Sequence, residues 1–201
     1  MLTIVIQAGG ESRRMGEDKA LRTFLGRPLI ERVIDRVQPL ADELLVTTNT
    51  PEKYEFLRLP LIPDLIPGRG ALGGLYTAIQ QAQHDLVAIV ACDMPFVSLN
   101  LLAAQCNRLT EPTIDAVIPR TPDGTEPFHA VYRRATCLPA IKTAIEADKW
   151  RVDAWFSKVK IHWISPQETA LYDPQQLAYW NVNTPEEFKR AEKIAQENSL
   201  I

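Results

Sequence analysis

The chain has 201 residues, of which 46% are hydrophobic and 23% charged, the composition of a globular protein with one substantial core. Its formal net charge of -3 gives no basic excess that would indicate nucleic acid as the partner, and its length predicts a single domain over residues 1–201. The apolar N-terminal run is too short to span a membrane and follows no basic segment, so we expect a cytoplasmic protein.

The first half of the chain predicts strands and helices in alternation. Apolar, β-branched runs indicate the strands, and apolar residues at every third or fourth position indicate the helices. In chain order we expect a strand at Leu2–Gln7, a helix at Leu29–Val37, a strand at residues 43–48, a helix at 72–82 and a strand at 86–92. The last run is apolar without alternation, which is typical of a central parallel strand covered on both faces.

The second half continues the alternation and ends in a capped helix. In chain order we expect a helix at residues 98–109, a strand at 116–119, a turn at 122–124, a strand at 128–133, a helix at 138–147 and a strand at 159–164. Thr184, Pro185 and Glu187 form a capping-box pattern that starts the C-terminal helix. This order indicates a three-layer, Rossmann-like α/β fold with an open, mostly parallel sheet and helices on both faces. Ligands of such sheets bind outside the carboxyl ends of the strands.

Cysteine and histidine give no sign of a zinc site. Cys92, Cys106 and Cys137 are odd in number and have no CxxC spacing, so we expect three buried thiols. The histidines are scattered and show no HExxH pattern. Neither a catalytic zinc nor a histidine base is therefore expected.

A loop rich in glycine and in cations follows the first strand. Residues 7–19 read QAGGESRRMGEDK, and this segment contains Arg13, Arg14 and Lys19. Glycines expose backbone N–H groups to a phosphate chain, while Arg and Lys neutralise charge that develops during nucleotidyl transfer. The spacing of Gly9, Gly10 and Gly16 does not match the dinucleotide motif, and the loop is not a Walker A loop because Ala20 follows Lys19 where Ser or Thr is required. Taken alone, an exposed turn with solvated charges explains the loop equally well.

Asp93 directly follows the predicted strand at residues 86–92. Its carboxylate is therefore expected at the ligand-binding edge of the sheet. Mg²⁺ prefers such hard oxygen ligands beside substrate phosphates, although an Asp in this place also commonly caps the next turn. We favour the metal role and expect Mg²⁺ as the cofactor.

Five motifs occur in a fixed order along nearly the whole chain. They are QAGGESRRMGEDK at residues 7–19, GALGG at 70–74, DMP at 93–95, EP at 126–127 and WNVNTPEE at 180–187. In this order they resemble the molybdenum cofactor guanylyltransferase family, in which the first and last motifs are specific and the others are shared by wider nucleotidyltransferases. Gln7 stands where the family usually has leucine, and Ala71 where it usually has proline.

The resemblance implies which residues bind the substrates. GTP would be bound by Gln7, Ala8, Gly9, Gly10 and Lys19. Asn49 and Asp64 would contact the nucleoside, and both follow a strand end, where such residues are often only turn formers.

The remaining implied residues concern the acceptor and the metal. Asp93 would hold Mg²⁺, and Asn181 and Asn183 would lie near the acceptor and the metal, unless they serve only the turn before the helix. Arg151 lies in a basic stretch that meets either the acceptor phosphate or solvent. Glu126 receives no role from the resemblance.

The implied reaction transfers GMP from GTP to the phosphate of molybdopterin and releases pyrophosphate, with Lys19, Asp93 and Arg13 as the catalytic residues. One alternative is a molybdopterin cytidylyltransferase or an enzyme that uses a small acceptor such as a sugar phosphate. Another is a module that senses a nucleotide without catalysis. A molybdoenzyme or its chaperone is the partner that the product implies, but no sequence feature marks where it would dock.

Overall fold

The computed structural model describes residues 1–8 and 18–198, which contain ten strands and six α-helices. The strands are β1 (Leu2–Gln7), β2 (Thr23–Phe24), β3 (Arg27–Pro28), β4 (Glu43–Thr47), β5 (Leu61–Ile62), β6 (Leu86–Ala91), β7 (Ala116–Thr121), β8 (Gly124–Thr125), β9 (His129–Arg133) and β10 (Ile161–Ile164). The helices are α1 (Leu29–Val37), α2 (Gly70–Gln81), α3 (Leu99–Arg108), α4 (Arg134–Glu146), α5 (Pro166–Tyr172) and α6 (Pro185–Glu197). In the part of the chain that is described, no helix is both long enough and apolar enough to cross a bilayer.

The central sheet is mixed but mostly parallel. Its strands follow the order β10-β7-β9-β6-β1-β4-β5, and β8 pairs with β7 beside this path. β1 is parallel to both of its neighbours, β4 is parallel to β5, and β7 is parallel to β10. β9 is antiparallel to β6 and β7, and β8 is antiparallel to β7. The predicted open, mostly parallel sheet is thus confirmed.

Helices cover both faces of the sheet. Ile4 and Ile6 of β1 belong to the apolar cluster formed with α1 and α3, whereas Val5 belongs to the cluster formed with α2 and α4. Successive residues of a strand point to opposite faces, so this unbroken apolar run fills two cores at once. The prediction of three layers is therefore confirmed.

The predicted start of α4 was wrong. The helix begins at Arg134 rather than at residue 138 and carries Pro139 in its interior. Asp85, at the start of the β6 segment, fixes the earlier start: its backbone oxygen accepts from the Arg134 N–H at 2.7 Å, and its Oδ1 from the Ala135 N–H at 2.8 Å. A cap supplied from so far along the chain leaves no local sequence signal.

Several short elements were not predicted. They are the two-residue strands β2, β3, β5 and β8, and the helix α5. For α5 a signal exists, since the Ser165 hydroxyl accepts from the Glu168 N–H at 3.1 Å and Pro166 occupies the first helical turn. The other predicted boundaries differ from the structure by a few residues at most.

The prediction of three buried thiols was wrong for two of them. All three cysteines are free, but Cys137 alone is fully buried, while Cys92 and Cys106 are partly exposed. Cys92 follows β6 at the carboxyl edge of the sheet and packs, partly buried, against the apolar cluster that includes α1 and α3.

Helix α6 begins with the predicted capping box. The Thr184 hydroxyl accepts from the Glu187 N–H at 3.1 Å, and Glu187 Oε2 accepts from the Thr184 N–H at 2.8 Å. We expect Thr184→Ala to lower the free energy of unfolding by about 1 kcal/mol and the melting temperature by roughly 2 to 4 °C, because one helical N–H loses its partner. Calorimetry of this variant, with the exposed Thr113→Ala as control, measures the effect, and an unchanged melting temperature would contradict it.

Candidate functional site

The order of strands along the chain reverses at β1. The chain passes from β1 to β4 and β5 on one side and then returns to β6 on the other side. Such a reversal opens a crevice outside the carboxyl ends of the strands, where ligands of open α/β sheets bind. The Gln7 carbonyl accepts from the Cys92 N–H at 3.1 Å, and the Ala8 N–H donates to the Thr47 carbonyl at 2.9 Å. These bonds hold the ends of β1, β4 and β6 together beneath the crevice.

Asp93 lies at this crevice, two residues beyond the end of β6. Its backbone carbonyl accepts from the Val182 N–H at 3.0 Å, which fixes the segment before α6 against it. Burial raises the pKa of the Asp93 carboxyl, and the nearby positive charge of Lys19 acts in the opposite direction. A carboxylate that is partly removed from water and faces a cation is a strong candidate for binding a charged ligand or a metal.

Lys19, which lies near the N-terminus of the chain, also reaches the crevice. It begins a 3-10 turn, Lys19–Leu21, that is capped by Asp18, whose Oδ1 accepts from the Ala20 N–H at 3.2 Å and whose Oδ2 accepts from the Tyr54 hydroxyl at 2.7 Å. The Lys19 ammonium donates to Asn183 Oδ1 at 2.5 Å. Lys19, Asp93 and Asn183, predicted separately from the sequence, therefore lie in one place.

Asn181 and Asn183 belong to the extended segment that precedes α6. Asn183 Nδ2 donates to the Asn181 carbonyl at 3.3 Å, and Asn181 Nδ2 donates to the Tyr179 carbonyl at 3.4 Å. The Asn183 N–H also donates to Glu187 Oε2 at 2.6 Å. The backbone of Asn183 thus donates to a residue of α6, and its side chain accepts from Lys19.

Asn49 and Asp64 form a pair at the ends of β4 and β5. Asn49 Nδ2 donates to Asp64 Oδ2 at 2.8 Å, and the Asp64 N–H donates to Asn49 Oδ1 at 2.9 Å. Asn49 is exposed and Asp64 is half-buried, both at the carboxyl edge of the sheet. The structure therefore brings these two predicted residues together, on the opposite side of β1 from Asp93.

Gln7 packs closely against the start of α2. A Cβ atom placed on Gly74 would lie 3.0 Å from Gln7 Nε2, and one placed on Gly73 would lie 2.8 Å from the Cβ of Arg69. These contacts give a physical reason for two of the glycines in the GALGG motif. Among the residues that are described, the buried Nε2 of Gln7 has no hydrogen-bond partner.

Three predicted residues are not part of the described structure. Gly9, Gly10 and Arg13 fall within residues 9–17. Arg151 is described: it is exposed and donates twice to the Asp153 carboxylate, at 2.9 and 2.7 Å. The structure thus shows Arg151 in a solvent-facing ion pair, where such pairs contribute little.

His129 is a positioning residue that sequence reasoning missed. It begins β9, is fully buried, and its Nε2 accepts from the Ser98 N–H at 3.3 Å. Burial lowers the pKa of His129 to about 4, so the ring is neutral near pH 7 and keeps this acceptor. The loop that carries Asp93 is therefore tied to β9 at its far end and to Val182 at its near end.

The donors present fit Mg²⁺. Among residues 1–8 and 18–198 there is no group of three or more His, Cys, Asp or Glu side chains arranged for a metal. Mg²⁺ typically takes one or two carboxylates and completes its shell with substrate phosphates and water. The single carboxylate of Asp93 beside Lys19 is such a donor set.

Comparison with known proteins identifies the family to which this chain is similar. The model of the MobA-like NTP transferase domain matches residues 4–159. A molybdenum cofactor guanylyltransferase from Desulfosudis oleivorans is 36% identical over 95% of this chain and 94% of its own length. A probable molybdenum cofactor guanylyltransferase from Peptoclostridium acidaminophilum is 31% identical over 96% of this chain and 89% of its own length.

Solved structures share the fold. The molybdopterin-guanine dinucleotide biosynthesis protein A of Archaeoglobus fulgidus superposes with a TM-score of 0.83, at 25% identity, over 97% of this chain and 99% of that one. A 4-diphosphocytidyl-2C-methyl-D-erythritol synthase from Anaerococcus prevotii gives 0.72 at 13% identity, over 98% of each chain, and shows the fold alone. The chain therefore belongs to the molybdenum cofactor guanylyltransferase family, among the MobA-like NTP transferases.

Proposed function

We propose that this protein transfers GMP from GTP to the phosphate of molybdopterin, which forms molybdopterin guanine dinucleotide and releases pyrophosphate. The observation that carries the proposal is the convergence of Asp93, Lys19 and Asn183 at the crevice beside β1. The names and near-complete coverage of the relatives support the choice of nucleotide and acceptor. We place the reaction in the cytoplasm and in one domain over residues 1–201.

The reaction is an in-line attack by the molybdopterin phosphate on the α-phosphorus of GTP. A phosphate is already ionised near neutral pH, so no general base is needed. The chain then contributes positioning and charge neutralisation. Lys19 stabilises the negative charge that grows on the triphosphate, and Asn183 holds the Lys19 ammonium in place at 2.5 Å. We assign a second cation, Arg13, and the backbone of Gly9 and Gly10 to the same phosphates.

Asp93 holds Mg²⁺ in this proposal. The bound ion would neutralise phosphate charge and act as a Lewis acid at the α-phosphate. The task of the protein is to keep the Asp93 carboxylate ionised and fixed. Lys19 favours the ionised form, and the hydrogen bond from the Val182 N–H to the Asp93 carbonyl fixes its backbone.

The nucleoside lies on the other side of β1 in this proposal. Asn49 and Asp64 already present a paired amide and carboxylate there, and Gln7 and Ala8 line the edge between this pair and Asp93. An amide and a carboxylate can hydrogen-bond to ribose hydroxyls or to the donor edge of guanine.

A nucleotide panel tests the proposed function. Purified protein with Mg²⁺ and molybdopterin is given each of the four nucleoside triphosphates in turn, and pyrophosphate release and the dinucleotide product are measured. We expect turnover with GTP. Preference for CTP would make the protein a cytidylyltransferase, and binding of GTP without pyrophosphate release would make it a nucleotide sensor.

A further inference from the structure

A cavity opens at the same edge of the sheet as the crevice, beyond the end of β7. It has a volume of about 260 Å³. Its lining includes Arg120, Thr121 and Glu126 and, from a later part of the chain, Thr169, Tyr179 and Trp180. This volume is slightly below the roughly 300 Å³ at which typical small-molecule pockets begin, so the cavity suits one ring system rather than a whole substrate.

Glu126 is held in this cavity by its backbone. Its N–H donates to the Pro119 carbonyl at 3.0 Å, and its carbonyl accepts from the His129 N–H at 3.2 Å. Burial and the nearby Asp123 raise the pKa of the Glu126 carboxyl, whereas a hydrogen bond with Thr121 lowers it. Among the residues that are described, no arginine or lysine forms an ion pair with Glu126. The carboxylate therefore retains acceptor capacity for a ligand.

Two aromatic residues of the lining, Tyr179 and Trp180, are packed against neighbouring side chains. Trp180 stacks on Phe96 with a centroid distance of 5.9 Å, and the Arg190 guanidinium lies 5.3 Å from the same ring. The Tyr179 hydroxyl is 3.0 Å from the Thr169 hydroxyl, and the Tyr179 ring meets His129 edge to face. A flat ring that enters the cavity thus meets aromatic side chains that are already packed in place, in a cavity that the Glu126 side chain also lines.

The position of the cavity favours the acceptor over the nucleotide. In the sheet, β9 separates β7 from β6, so the cavity lies about 10 Å from the end of β6, at two strand spacings. The pair formed by Asn49 and Asp64 lies on the opposite side of β6, beyond β1. Residues 180–183 run from the cavity wall to the contacts with Asp93 and Lys19. A substrate with a ring at one end and a phosphate at the other can therefore span cavity and reaction centre.

We propose that this cavity binds the pterin ring of the acceptor, with the Glu126 carboxylate accepting hydrogen bonds from two adjacent N–H donors, the ring N3–H and the 2-amino group. The inference rests on the proposed function, because molybdopterin supplies the pterin. A carboxylate and a 2-amino-4-oxopyrimidine match donor for acceptor, and hydrogen bonds to charged groups are the stronger ones.

Binding of free pterin to the full chain tests the proposal. Pterin (2-amino-4-oxopteridine) is titrated into the protein and followed by its fluorescence, and lumazine, with an oxo group in place of the 2-amino group, is the matched ligand. We expect wild-type protein to prefer pterin, and Glu126→Gln to weaken pterin binding by roughly 10- to 100-fold and to lose the preference over lumazine. Glu146→Gln, which changes an exposed glutamate of α4, is the matched control and should bind pterin as wild type does.

Several results would overturn the subsite. They are equal pterin affinity in wild type and Glu126→Gln, no saturable pterin binding to wild type at millimolar concentration, or a parallel loss of GTP affinity in Glu126→Gln, which would give the cavity to guanine. Dinucleotide formation by wild-type protein is measured alongside. Product formation without dependence of pterin binding on Glu126 refutes the subsite alone, and Glu126-dependent pterin binding without product refutes the proposed guanylyl transfer alone.

Discussion

Asp93→Asn is expected to lower kcat for guanylyl transfer by about 10³-fold or more. The variant keeps the size of the side chain but removes the negative charge that we assign to Mg²⁺. Charge stabilisation of this kind contributes several kcal/mol in a transition state, and about 4 kcal/mol corresponds to a factor of 10³. Pyrophosphate release with Mg²⁺, GTP and molybdopterin in excess measures the loss.

The same variant should be at least as stable as wild type near pH 7. Burial raises the pKa of Asp93 above its ordinary value of 3.8, so its contribution to stability is present below that value and is lost as the pH rises through the higher folded pKa. Ionisation of the carboxylate therefore disfavours the folded state of the free protein as the pH rises. An inactive Asp93→Asn with an unchanged or raised melting temperature separates catalysis from folding, whereas near-normal turnover would remove Asp93 from the mechanism.

Lys19→Ala is expected to cost about 2.7 to 4 kcal/mol of transition-state stabilisation, or roughly 10² to 10³ in kcat. The Lys19 ammonium donates a hydrogen bond to Asn183, and its positive charge acts to lower the pKa of Asp93. Its loss leaves the growing phosphate charge without a fixed donor. Steady-state kinetics with GTP as the varied substrate will show whether the loss falls on kcat, as a transition-state contact requires, or on KM alone.

Two further variants make the Lys19 result specific. Lys193→Ala removes an exposed lysine of α6 that pairs with Glu197 at 3.7 Å, and it should leave turnover unchanged. Asn183→Ala should reduce turnover less than Lys19→Ala, because it frees the ammonium without removing it. A full loss in Lys193→Ala, or none in Lys19→Ala, would contradict the assignment.

The sheet was readable from the sequence because its strands carry their signal locally. Apolar, β-branched runs at β1 and β6 and helix-spaced apolar residues at α1 predicted these elements nearly to the residue. Elements that depend on distant partners were missed. The start of α4 needs Asp85, and the two residues of β5 gain strand geometry only by pairing with β4.

The site was partly readable for a similar reason. Asp93 and Asn49 could be placed at the carboxyl edge because they follow predicted strands. No local sequence pattern predicts the two tertiary hydrogen bonds, which run from Lys19 to Asn183 and from Val182 to Asp93. The sequence did not indicate that His129 holds a neighbouring loop. A lone histidine in a strand looks the same whether it only packs in the core or also accepts a hydrogen bond from that loop.

The contact between Lys19 and Asn183 also sets an order of events during synthesis. The two residues are 164 positions apart in the chain. At bacterial or eukaryotic translation speeds of about 5 to 20 residues per second, roughly 8 to 33 s pass between the synthesis of one and of the other. A nascent chain can pair β1 with β4 and β6 in that interval, while Lys19 still lacks Asn183 as its hydrogen-bond acceptor. The contact between Lys19 and Asn183 can therefore form only after the segment that precedes α6 has been synthesised.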